Sequence, residues 1–121
     1  MHGRHGRGHG RQYKGRAAHL LEPALLCSLL SGPAHGYALA EALSEFGLEQ
    51  VSLRRIYRML RDMEASGWVA SDWETERTQG PPRRVYSLTG EGEAVLSGWM
   101  RYLRESRAAI DRLVAAYQEA D

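Results

Sequence analysis

Four arginines crowd one short stretch of this chain: Arg54, Arg55, Arg58 and Arg61, between Ser52 and Gly67. At ~100° per residue, Ile56, Met59, Leu60 and Met63 gather on one arc of a helix. The arginines and Asp62 fill the opposite arc. Guanidinium is a permanently charged planar fork that pairs with guanine O6 and N7 or with phosphate oxygens. A face that was only solvated would mix Glu and Lys for i,i+4 pairing, whereas here four arginines meet one acid. Further on, Gly80-Pro81-Pro82-Arg83-Arg84 sets two more guanidinium groups at a stiff turn. A basic helix followed by a basic hairpin is what a winged helix-turn-helix needs to grip duplex DNA. The helix lies in the major groove, and the wing touches the adjoining backbone or minor groove.

Arg54, Arg55 and Arg58 are the leading candidates for DNA contact, while Arg61 is equally placed to pair with an acid. Ser52 caps the helix from the DNA side. Tyr57 flanks the apolar arc, able to donate to a phosphate and to seal the core with its ring. Tyr37 opens the preceding helix, where free N–H groups favour a phosphate. Alternation sends Arg83 and Arg84 to opposite faces of the wing, so that one of them reaches the backbone. Gln79 is a polar helper beside them, and Arg11, Lys14 and Arg16 extend the basic surface. His35 reads as a capping or packing residue. Cys27 reads as a small buried side chain in an apolar helix, and Trp68 and Trp73 as core.

His2, His5 and His9 have a spacing that would line one helical face, but the glycines between them oppose that helix and no Cys or carboxylate completes a site. No metal and no cofactor is expected. Nor is there a Ser/His/Asp or Cys/His set, a paired carboxylate cleft or a phosphate-binding glycine loop, so the chain is not expected to be an enzyme.

The elements that must position these groups follow from local signals. Leu25, Leu26, Leu29 and Leu30 make a first helix, with Pro23 in its first turn and Gly32-Pro33 as its stop. A second helix runs from about Gly36 to Phe46, with Gly47 closing it. The third begins after Ser52 and ends at Ser66-Gly67. The period then falls to two over Val69–Glu76, a turn-rich segment follows, and Val85–Leu88 returns as a second strand. Thr89 caps a last helix, with Glu91 and Glu93 in its favourable first turn. Along it Leu96, Trp99, Leu103, Ser106, Ile110, Leu113 and Tyr117 step by 3 and 4 residues in turn, a seam broken only by Ser106. Such a helix outruns the small domain before it. It is expected to pack on a second copy through Leu96, Trp99, Leu103, Ile110, Leu113 and Tyr117.

The expected fold class is therefore mainly α with a small β-hairpin, a winged helix-turn-helix domain plus a C-terminal dimerisation helix. Residues 1–16 form a flexible basic arm, 17–89 the DNA-binding domain and 90–121 the dimerisation helix. Net charge over the 121 residues is only +1, yet the arm alone carries +5 with no acid, leaving −4 for the rest. Positive charge is thus segregated into arm, third helix and wing, the footprint of a nucleic-acid partner. No apolar run approaches the ~20 residues of a membrane span, and no signal-peptide stretch is seen. With one cysteine unable to pair internally, these features suit the cytoplasm.

As a set, Pro33-Ala34-His35-Gly36-Tyr37, Ser52 with Ile56-Tyr57-Arg58-Met59-Leu60, Glu64, Gly67, Trp73, Gly80-Pro81-Pro82-Arg83-Arg84-Val85-Tyr86, and Leu88-Thr89 with Gly92 resemble the PadR family of bacterial transcriptional regulators. The resemblance covers about residues 20–100. It implies a winged-helix homodimer on an inverted-repeat operator, usually a repressor that releases DNA on meeting a small molecule or other signal. The short C-terminal region resembles the subfamily with a single dimerisation helix. Where relatives commonly carry Pro-Gly-Thr at the start of the recognition helix, this chain has Leu53-Arg54-Arg55. Drug-binding relatives stack planar ligands on a tryptophan of the last helix, and Trp99 lies on that helix about one turn earlier. A planar apolar effector would then border Trp99, Leu103 and Leu96. Two alternatives stay open: a winged-helix adaptor between proteins, and a metal-responsive regulator using the His-rich arm.

Overall fold

The computed structural model describes residues 19–74 and 80–120. Arg11, Lys14, Arg16 and Gln79 lie outside them, as do the His-rich motif and residues 1–16 as a whole. The first helix, α1, is helical over 19–28 and tightens into a 3-10 turn at Leu29–Ser31. It begins before the sequence suggested, so Pro23 sits inside it and not in its first turn. The proline withdraws only one N–H, near the start of the described helix, and its ring is buried. Leu21, Leu25, Leu26 and Leu29 face the core, whereas Leu30 is exposed.

Two residues, Ala34–His35, form a short strand β1 that runs directly into helix α2, Gly36–Ser44. Helix α3, Leu53–Ala65, starts at Ser52, whose Oγ accepts from the Arg55 N–H at 3.2 Å. α2 and α3 end alike. Gly47 and Gly67 take φ of +76° and +85°, and the N–H after each returns to a carbonyl five residues back, Leu48 to Leu43 and Trp68 to Met63. Closing a helix this way favours glycine at the left-handed position.

Strands β2, Val69–Trp73, and β3, Arg84–Leu88, pair antiparallel, with Val69 opposite Leu88 and Trp73 opposite Arg84. β1 adds to the other edge of β3, giving the order β1-β3-β2. The expected hairpin is therefore part of a three-stranded sheet. β1 was not foreseen because a two-residue strand has no periodicity of its own, and only the distant edge of β3 makes it one. Helix α4, Gly90–Glu119, is capped by Thr89, whose Oγ1 accepts from the Gly92 N–H at 3.0 Å and donates to the Gly67 carbonyl at 2.6 Å.

One core joins Leu21, Leu25, Leu26, Leu29, Leu39, Leu43, Leu48, Ile56, Leu60, Met63, Val69, Tyr86 and Leu96. Cys27 is half-buried against it. Trp68 packs on this core from its margin, but Trp73 is 56% exposed and not core. Its strand parity matches that of Val69, yet by residue 73 the strand has run past the helices that could cover it.

Candidate nucleic-acid interface

On α3, Ile56, Leu60 and Met63 are the residues wholly lost to the core, which fixes what the helix shows to water. Arg54, Arg58 and Arg61 are exposed and fall on an arc of roughly 60°, stacked over about 10 Å of helix. That footprint suits a major groove about 12 Å wide. Arg55 lies to the side of the stripe and is half-buried. Among the described residues none of these four arginines is held in an ion pair; the salt bridge there joins Arg83 to Glu74.

Ser52 is exposed at the head of α3, its hydroxyl engaged in the cap. The Tyr57 ring packs on Gly36 so closely that a Cβ there would overlap its hydroxyl. This contact seats α3 against the start of α2. Tyr37, in the first turn of α2, is 62% exposed. His35 caps that helix, Nδ1 facing the Ala38 N–H at 3.4 Å.

The wing arginines go to different partners and neither stands free. Arg83 gives Nε and Nη2 to Glu74 Oε1 at 3.3 and 2.9 Å, while its Nη1 lies 3.0 Å from His35 Nε2. Arg84 Nη1 donates to Ser71 Oγ at 2.6 Å, and its guanidinium lies 4.6 Å from the centroid of the Trp73 ring. Sequence reasoning named Glu64 without its partner and gave Ser71 and Glu74 no role, because these pairings depend on strand register.

The seam of α4 divides. Leu96 is only 5% exposed and fills the domain's own core, so neither a partner nor a ligand reaches it in this protomer. Trp99 is half-buried, donates Nε1–H to Glu22 Oε2 at 2.6 Å and meets Tyr102 edge-on at 5.9 Å. Past Ser106 nothing among the described residues covers the helix: every residue from 107 to 119 is exposed, with Leu113 at 70% and Tyr117 at 77%. Tyr102 and Val114 belong to the same apolar arc, a placement the 3,4 stepping missed. Beside Trp99 an open groove of about 420 Å³ is lined by His19, Val95, Gly98 and Tyr102. It adjoins a second groove of about 390 Å³ reaching Leu20, Leu103, Ser106 and Ile110. Among the described residues no helix is long and apolar enough to cross a membrane, and no three His, Cys, Asp or Glu side chains gather as a metal site would require.

A family model for the transcriptional regulator PadR-like family matches residues 25–98, from the first helix to the beginning of α4. The chain belongs to this family. Its members are transcriptional regulators that bind DNA, and the mostly helical fold with its winged three-stranded sheet fits that assignment. Among solved structures, a candidate transcriptional regulator of Thermoplasma acidophilum is similar at 30% identity and a TM-score of 0.69, over 83% of this chain and 96% of that one. A PadR family regulator from Eggerthella lenta shares 27% identity over 86% of each chain, with a TM-score of 0.69. A PadR family regulator from Clostridium difficile, at 22% identity, shares the fold over 78% of this chain and 98% of its own, with a TM-score of 0.70. No curated protein matches the sequence.

Proposed function

We propose that this PadR-like regulator acts as a homodimeric repressor reading an inverted-repeat operator. Two α3 helices would enter successive major-groove segments about one turn apart, roughly 34–36 Å. The observation that carries this reading is the exposed stripe of Arg54, Arg58 and Arg61, unpaired among the described residues, on an otherwise core-bound helix. Arg55 at its flank, the Ser52 end of α3 and Tyr37 with Tyr57 at the start of α2 complete the surface. Arg83 and Gln79 bring the wing to the neighbouring backbone, while Arg84 is engaged with Ser71 and Trp73, and Arg11, Lys14 and Arg16 of the arm follow the phosphates.

Two copies would join along α4 through half-buried Leu103 and through Ile110, Leu113 and Tyr117, which the described residues leave exposed. The grooves beside Trp99 and Leu103 would take a flat apolar effector. Such a ligand releases DNA only by favouring one spacing of the two recognition helices over the other.

The reading is tested on an operator recovered by selection from random duplexes. Arg54→Ala combined with Arg58→Ala is expected to abolish preference for that operator over unrelated DNA, each lost guanine contact costing about 1–3 kcal/mol of discrimination. Undiminished preference in a fluorescence titration would remove α3 from the reading role.

A further inference from the structure

We propose that Glu64, Ser71 and Arg84, with Trp73, form a brace that fixes the angle of the wing against the recognition helix. In this brace Arg84 is a positioning residue and not a phosphate contact. The proposal rests on the reading of α3 as the groove-entering helix.

The chain of contacts starts on α3. Glu64, half-buried in its last turn, accepts the Ser71 hydroxyl proton at 2.7 Å. The same oxygen of Ser71 accepts from Arg84 Nη1 at 2.6 Å. A hydroxyl has a single proton to give. Its donor is spent on the carboxylate and a lone pair on the guanidinium, so the direction of the relay is set by the charges at its ends. Both links are charge-assisted, the stronger class of hydrogen bond. Beyond Ser71 the guanidinium lies over Trp73, where a cation–π attraction holds it against the strand.

The strand register explains how one side chain does this. Arg84 pairs with Trp73 across the ladder, and Ser71 is the next residue of β2 on the same face. Arg84 therefore reaches two consecutive same-face positions of β2, one directly and one on the diagonal. This relay ties α3 to the sheet through polar side chains, beside the links made by the backbone and the core. The covalent link is the turn through Gly67, and the core contacts are Val69 and Tyr86; past Ser71, Asp72 and Trp73 are already exposed. On the other face Arg83 pairs with Glu74 and its Nη1 lies near His35 at the head of α2, away from the recognition helix.

A wing that swings freely must be ordered when DNA is grasped at both helix and hairpin, and that ordering opposes binding. A wing already braced avoids it. The guanidinium spent on Ser71 and Trp73 acts through geometry, so its removal should lower affinity without removing a phosphate contact.

Thr and Val at position 71 have nearly the same shape and suit a strand, but only Thr keeps the hydroxyl. Operator affinity, its salt dependence and hydrogen exchange of the β2–β3 amides are measured for the wild type, Ser71→Thr, Ser71→Val and Arg84→Lys, all below their melting temperatures. Ser71→Thr is expected to match the wild type. Ser71→Val and Arg84→Lys should each bind roughly tenfold more weakly, the scale of one charge-assisted hydrogen bond. Their log–log salt slope should be unchanged, and their wing amides should exchange faster in the free protein. Arg84→Lys binding as well as the wild type, with Arg84→Gln lowering the slope by about one, would make Arg84 a phosphate contact and overturn the brace. Wing exchange unaltered in Ser71→Val would overturn it as well. Failure of the wild type to select any operator would instead strike the reading of α3, since amide exchange in the free protein reports the brace independently.

Discussion

Arg54, Arg58 and Arg61 stay in water in the free protein, whereas Arg83 and Arg84 have already given part of their hydrogen-bonding capacity to the chain. Hydrated guanidinium groups displace the counterions condensed on DNA as they bind, and engaged ones act through the shape they hold. Beneath the wing, Tyr86 is almost wholly buried opposite Ser71. Burial pushes its phenol above the ordinary value of 10.0; the Arg84 charge pulls it back, and that of Glu64 pushes it further up. The neutral phenol is thus favoured by folding. Its contribution is fully present below about pH 10, where the unfolded tyrosine also stays protonated, and is lost as pH rises through the higher folded value. Urea unfolding of the wild type should weaken above pH 10 more steeply than that of Tyr86→Phe. Parallel pH profiles for the two proteins would show that this phenol does not carry the alkaline loss.

Helix α4 is fastened to the domain at its first turn, where the Thr89 N–H donates to the Trp68 carbonyl at 3.1 Å and Gly92 lies against the same group. A Cβ at 92 would overlap that carbonyl oxygen, which is backbone and cannot swing aside, while a Cβ at Gly90 would meet nothing within 4 Å. Gly92→Ala is therefore expected to destabilise by about 1–3 kcal/mol, as overpacking does, with Gly90→Ala within about 0.5 kcal/mol of the wild type. Equal melting temperatures would refute the tight docking of α4. The elements themselves were largely legible in the sequence. Ser52 and Thr89 announce their helices, Gly47 and Gly67 end theirs, and the apolar arc of α3 separates buried Ile56, Leu60 and Met63 from the arginines. What was hidden is partnership. Periodicity says which face of α4 is apolar but not what covers it, so Leu96 read as part of the seam although the domain's own core takes it. Trp73 read as core beside Trp68, yet it is exposed because the sequence does not show where the helices stop. The partners of Arg83 and Arg84, like β1 itself, depend on contacts between residues far apart in the chain.

At the scale of the molecule, α4 is about 45 Å long at 1.5 Å per residue, and its outer half projects with Ile110, Leu113, Val114 and Tyr117 in solvent. Apolar residues sustained along one arc of a projecting helix find burial against a like surface, and a two-fold pair of copies offers it. Leu113→Glu with Tyr117→Glu should yield a folded monomer in sedimentation, with intact helical circular dichroism; a persistent dimer would place the interface elsewhere. The proposed dimer would set the distance between two arginine stripes, and that distance should be written into the DNA that binds. The most direct measurement is selection of wild-type protein on random duplex DNA, followed by sequencing. The account predicts enrichment of an inverted repeat whose half-sites are centred about one helical turn apart. Enrichment of a solitary half-site, or of no sequence at all, would contradict it.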